Sequence, residues 1–314
     1  MDLKKYAPFI ILGLLALLPL TGISTYMLHV LIIVIMWSVI GMAWNLLGGY
    51  CGQVSFGHAA FFGMGAYTAG LLYEKLGMSA WWGLPISVPV VTVFALVMGF
   101  IFLRLRGPFF ALGTLAMGVI LRITAENLTG FTGGDLGIMI RERTWVDKTW
   151  YFYIILILAA VTYYVIKKVV ESKLGYYFVA IREDQDAAES LGIDTTLYKT
   201  IALCLSAVIT GLAGAFYMNY MGYIDPKVVF ALHDISVVTI MVVMVGGVAT
   251  FSGPIIGALI MVLLAEVIRS IPKLGMAHHT FFGILLIVII IFLPNGIAGD
   301  WPKLKKIFAK GKTA

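Results

Sequence analysis

The densest group of polar side chains in this apolar sequence is Asn45, Gln53, Ser55 and His58, set around the glycine-rich run Gly48-Gly49-Tyr50-Cys51-Gly52. Polar groups in apolar surroundings are costly unless paired, so the cluster either lines a wet cavity or bonds one helix to the next, with His58 a neutral imidazole. Transient hydrogen bonds from such groups could replace part of a zwitterion's hydration, whereas a fixed charge would trap one of its ends. The middles of the apolar runs carry no Asp, Glu, Lys or Arg, and no chain of carboxylates or histidines crosses them, which argues against a proton-driven pump. Covalent and metal chemistry find no foothold. There is no His-Glu-x-x-His or Gly-x-Ser-x-Gly, Cys51 and Cys204 imply neither a disulfide nor a metal site, and His278-His279 would point apart on a helix. The Walker-like fragment Gly311-Lys312-Thr313 has Lys306 where that motif needs a glycine.

The elements that must position the cluster follow from composition. Of 314 residues 61% are apolar and 12% charged, against roughly 45–50% and about 25% in soluble domains, so the main solvent is lipid. The basic residues form no stripe with interleaved aromatics, which excludes a nucleic-acid surface. Apolar runs near the length of a bilayer core predict an all-α bundle of eight to ten spans over 1–314 as one transmembrane unit. They lie at Pro8–Thr21, Tyr26–Leu47, Gln53–Leu72, Leu84–Leu103, Pro108–Leu121, Trp150–Ile166, Thr200–Tyr220, Ile235–Val248, Pro254–Ile268 and Thr280–Pro294. Pro108–Leu121 and Pro254–Ile268 are short enough to suggest re-entrant or broken helices. Lys and Arg gather in the 171–199 loop, beside Lys4 and Lys5, and in the 303–314 tail, which places both termini in the cytoplasm. The first run resembles a signal peptide, but it lacks a small-x-small cleavage site and leads at once into another span, so it reads as an uncleaved anchor.

Small residues mark where helices can meet closely. Ala59, Gly63, Ala66 and Gly70 share one face of the third span, Ala207, Gly211 and Gly214 one face of the seventh, and Gly253 and Gly257 open the ninth. The Gly48–Gly57 run and Gly246-Gly247…Ser252-Gly253-Pro254 are alike, which suggests an internal repeat with a pathway at its interface and Ser252 at the position related to Ser55.

In the 171–199 loop, Arg182 to Leu191 reads as one short helix. Glu183, Asp184 and Asp186 stand in its first turn, Ala187, Ala188 and Leu191 form a small apolar face, and Gly192 lies past its end. It is either a connector lying on its own protein or a helix that docks into a groove of a cytosolic subunit.

The run Ala-Ile-Arg-Glu-Asp-Gln-Asp-Ala-Ala-Glu-Ser-Leu-Gly-Ile at 180–193 closely resembles the coupling loop of the Liv-type permeases, the membrane subunits of bacterial ABC importers for branched-chain amino acids. Tyr198-Lys199, Gly52–Ala59, Arg106-Gly107-Pro108, Thr132–Gly137 and Gly246…Ala258 are similar to further motifs of that family, in order, and the whole resembles its longer, M-type subunit. Gly175-Tyr176-Tyr177-Phe178 departs from the family's glycine, arginine and small residue. The resemblance implies a multi-pass protein of the bacterial inner membrane that is not itself an enzyme. It also implies a second homologous permease subunit, two cytosolic ATP-binding subunits that hold ATP and magnesium, an extracytoplasmic solute-binding protein, and a coupling role for residues 182–192. Relatives of the pattern also carry other amino acids, urea and short amides. The residues alone leave open a stand-alone channel or ion-coupled carrier, which would have no use for the 182–191 helix.

Overall fold

The computed structural model describes residues 13–141, 144–271 and 278–301. Residues 8–12 of the first expected span, Lys4, Lys5 and the 303–314 tail lie outside them, as do the side chains of His278 and His279. The described chain is a helical membrane bundle with a single two-residue ribbon, β1 (Ile138–Met139) antiparallel to β2 (Tyr223–Ile224).

The helices are α1 (Thr25–Trp44, running on as a π-helix over Asn45–Tyr50), α2 (His58–Leu76), α3 (Gly83–Phe102), α4 (Pro108–Asn127) and α5 (Lys148–Val170). A short pair follows, α6 (Lys173–Glu183) and α7 (Gln185–Ser190), then α8 (Thr195–Met221), α9 (Val238–Gly246), α10 (Gly253–Arg269) and α11 (His278–Phe292). Seven helical stretches among the described residues are long and apolar enough to cross a membrane, and α2 and α10 run between them.

Burial sorts the helices into a centre and a rim. The apolar stretch of α1 is 83% buried and that of α8 67%, against 17% for the stretch that holds α11. The central pair runs antiparallel, with Ser206 bonded to Ala43 towards one end and Tyr220 to His29 towards the other. Alongside α8 runs α2, parallel to it and so close that a Cβ on Gly65 would lie 2.6 Å from the Gly211 carbonyl carbon. In lipid, where no hydrophobic drive pulls helices together, such backbone contact supplies the attraction through dispersion. On the other flank α10 lies antiparallel to α1, with Pro254 beside Gly41 and Glu266 accepting a 2.7 Å hydrogen bond from the Tyr26 hydroxyl.

Two expectations need correction. Pro108 and Pro254 do not mark broken spans: each occupies the first turn of a continuous helix, where a missing N–H costs nothing. Past Leu121, α4 continues to Asn127, because Arg122 and Glu126 pair across one turn at 3.6 Å and carry their charges along the helix. The breaks lie elsewhere, in the π-helical end of α1 and in a second π-helix, Leu232–Val237, that leads into α9. Nor does the third span start at Gln53. Residues 51–57 form a non-helical connection, and α2 begins at His58.

Candidate functional site

At one end of the bundle the last turns of α1 widen to a π-helix, and the chain leaves it through Cys51, whose amide bonds back to Leu46. Asn45 heads this segment and is buried. Its Nδ2 donates to the Thr250 carbonyl (2.9 Å) and its Oδ1 accepts from the Ala249 amide (2.8 Å). The asparagine thereby joins the two glycine-rich breaks, 48–57 and 246–253, side by side. Ala249 has φ 55°, a left-handed conformation that an alanine adopts at a cost of about 1–2 kcal/mol. A narrow cleft opens here, lined by Met42, Asn45, Tyr50, Tyr163, Ile166, Thr250 and Phe251.

The other residues of the sequence cluster do not converge on this cleft. The Ser55 hydroxyl is buried and accepts from Gly57 N (3.1 Å), while Gln53 is half-buried and donates to the Cys51 carbonyl (3.4 Å). His58 is fully buried against α8, its Nε2 2.8 Å from Ser206 Oγ. Since that hydroxyl donates to the Ala43 carbonyl (2.7 Å), it accepts from the imidazole, which puts the proton on Nε2 and leaves Nδ1 without a partner. Ser252 is exposed just before α10.

Among the small residues, Gly63 lies under the Phe230 ring and Gly70 faces Ile224, Met218 and Ile138, while Ala59 and Ala66 are buried. Gly214 meets the α2 backbone at Phe62 and Ala66, Gly211 also faces Val91, and Ala207 is buried. Gly253 and Gly257 close the α9–α10 hairpin, where a Cβ on Gly257 would sit 3.0 Å from Gly246 N. Gly65 stands outside the 59-63-66-70 face and approaches the α8 backbone as closely as Gly214 approaches that of α2; only its position two residues past Gly63 was visible in sequence.

The loop at the same end is two helices rather than one. Asp184 takes an extended conformation (φ −158°, ψ 113°) that ends α6, and its carboxylate caps α7 by accepting from Ala187 N at 3.0 Å. An aspartate is a strong N-cap, and here that preference outweighs continuing the helix. Glu183 therefore belongs to the end of α6, not to a first turn, and only Asp186 keeps that place. Ala188 is turned inward and buried, so the outward apolar surface is Ala187 and Leu191, the latter 82% exposed. Gly192, at φ 83°, closes the turn into α8.

The pair is braced from three sides. Arg106, from the α3–α4 connection, bonds Asp186 at 2.8 Å and approaches Glu189 at 3.9 Å. Lys199, buried in the first turns of α8, donates to the Gln185 side-chain oxygen. Glu189 accepts from the Thr195 hydroxyl (2.6 Å) and from Gln185 (2.8 Å), and these bonds hold its exposed carboxyl below the usual carboxylate value. The third brace is Arg182, whose Nη1 donates to the Gly49 carbonyl at 3.1 Å. Lys199 was visible only as part of a motif, since its partner Gln185 lies fourteen residues upstream.

The chain's sequence has known relatives. The chain is 29% identical to the "High-affinity branched-chain amino acid transport system permease protein LivM" of Salmonella typhimurium and to that of Escherichia coli, each over 88% of this chain and 71% of the relative. It is also 29% identical to the "Probable branched-chain amino acid transport permease protein LivH" of Methanocaldococcus jannaschii, over 44% of this chain and 45% of that protein. Residues 26–293 match the family described as "Branched-chain amino acid transport system / permease component", and it is to this family that the chain belongs.

Proposed function

We propose that this protein is a membrane permease subunit of an ATP-driven importer for branched-chain, hydrophobic amino acids. In this reading it forms half of a translocation pathway with a second, similar permease. Two cytosolic subunits bind and hydrolyse ATP, and a solute-binding protein delivers substrate from outside. Residues 1–314 act as one transmembrane unit in the inner membrane, with both termini, the 171–199 loop and the 303–314 tail in the cytoplasm. The 29% identity to both LivM and LivH proteins supports pairing with a second permease.

One observation carries the reading: in a protein whose outer helices face lipid, α6 and α7 form a folded polar platform, held by Arg106, Lys199 and Arg182, that presents Ala187 and Leu191 outward. A channel gains nothing from such a platform, whereas a helix presented on a rigid mount can dock into a groove. Asn45 and the 249–250 turn stand directly behind it, where two glycine-rich breaks meet. Gln53 and Ser252 are assigned to the pathway surface that the second permease completes, with Ser55 and His58 buried behind it.

The test is uptake of labelled leucine into proteoliposomes that hold the assembled transporter. Uptake should require ATP and the ATP-binding subunits, and Leu191→Arg should release those subunits while the chain stays folded. Uptake that persists without ATP would favour a channel or carrier. Competition by urea but not by leucine would overturn the substrate while leaving the permease.

A further inference from the structure

We propose that Arg182 is a positioning residue that couples the platform to the π-helical end of α1, and that Asn45 passes the displacement on to the 249–250 turn. The proposal rests on reading α6–α7 as the ATPase-facing platform, and it assigns Arg182 to the bundle rather than to the docking surface. Arg182 lies in the last turn of α6. Its Nε and Nη2 are held by Glu183 Oε1 at 3.0 and 2.6 Å, which aims the remaining edge of the guanidinium at α1. There Nη1 meets the Gly49 carbonyl at 3.1 Å, one of the last carbonyls of the helix, which helical geometry leaves without an intrahelical donor. The stem packs on Gly52, where a Cβ would lie 2.8 Å from Arg182 Cγ and 3.0 Å from its Cα. Gly52 has φ 73°, so only glycine gives both the turn and the room.

The element on which Arg182 acts can take two forms. A π-helical turn holds one residue more than an α-turn, and such turns recur at functional sites. Annealing it to α-helix rotates the residues on one side by about 100° and shifts them by about 1.5 Å. Asn45 heads that segment, and its two bonds to Ala249 and Thr250 are too directional to survive such a rotation. Moving α6 therefore pulls on Gly49, changes the turn, and opens the seam between the two breaks.

The experiment uses the assembled transporter in proteoliposomes and reads leucine moved per ATP hydrolysed. For Arg182→Met the ATP-binding subunits should still co-purify in wild-type amount and hydrolyse ATP, while the ratio falls about tenfold. That is the factor for 1.4 kcal/mol, close to what a hydrogen bond to a charged group contributes. Arg182→Lys, which keeps the charge and one donor, should fall about threefold, and it carries the test if the methionine variant does not accumulate. Combining Arg182→Met with Asn45→Ala should lower the ratio no further than the worse single change, because both lie on one line. An unchanged ratio in either Arg182 variant overturns the proposal, as does loss of the ATP-binding subunits in both, which would put Arg182 in the docking interface. Wild-type uptake that ignores ATP would instead refute the importer reading.

Discussion

Replacing Gly65 by alanine tests whether the α2–α8 crossing holds the bundle together. The added Cβ would lie 2.6 Å from the Gly211 carbonyl carbon and 2.7 Å from its Cα, against about 3.4 Å for ordinary contact. The helices must separate by at least about 0.8 Å, and neither neighbour is a side chain that can swing away. Overpacking of this kind costs about 1–3 kcal/mol, and with backbone on both sides we expect the upper end. Widening the crossing also loosens the Gly214 contact with Phe62 and Ala66 and lengthens the His58–Ser206 bond. The control is Gly118→Ala in α4, where a Cβ meets nothing within 4 Å. Thermal unfolding of both variants in one detergent, followed by fluorescence of the seven tryptophans, should show Gly65→Ala melting well below wild type and Gly118→Ala at or slightly above it. Coincident melting of Gly65→Ala and wild type would refute the close crossing.

Asn45→Ala should cost about 2–3 kcal/mol in the same assay, because it leaves the Thr250 carbonyl and the Ala249 amide unpaired, and Asn45→Asp should rescue only the bond from Ala249. For Glu189, a carboxyl held below its usual value stabilises its surroundings above that value, about 4.5, and the stabilisation is lost as pH falls through the lowered value. The hydrogen-exchange protection factors of residues 185–199, corrected for the intrinsic pH dependence of exchange, should therefore be the same at pH 7 and pH 5 and fall only below about pH 4.5; Thr195→Val, which removes the largest contribution, should bring that loss of protection to higher pH.

Much of the bundle was legible because a lipid solvent writes its demand in long apolar runs: the expected span Leu84–Leu103 differs from α3 by one residue at each end. What sequence hid was non-local or conformational. Proline reads as a breaker, yet Pro108 and Pro254 sit where the helix has no bond to lose. Gly48-Gly49 announced a break, but nothing in residue types distinguishes a π-turn from a loop. Asp184 looked like a first-turn acid because cap and first turn favour the same side chain, and only its extended backbone decides between them. Asn45 and His58 stood out as polar, while their partners, Thr250 and Ser206, lie 205 and 148 residues away.

Those separations bear on how the chain is made. At about 5–20 residues per second, α1 emerges roughly 10–40 s before the turn that satisfies Asn45, and in that interval the most deeply placed helix faces lipid with its amide unpaired. The central helix is among the first inserted and the last completed. A ribosome pause or truncation anywhere between Asn45 and Thr250 therefore exposes the same polar side chain to the bilayer, which gives membrane quality control one position from which to judge whether both halves have arrived.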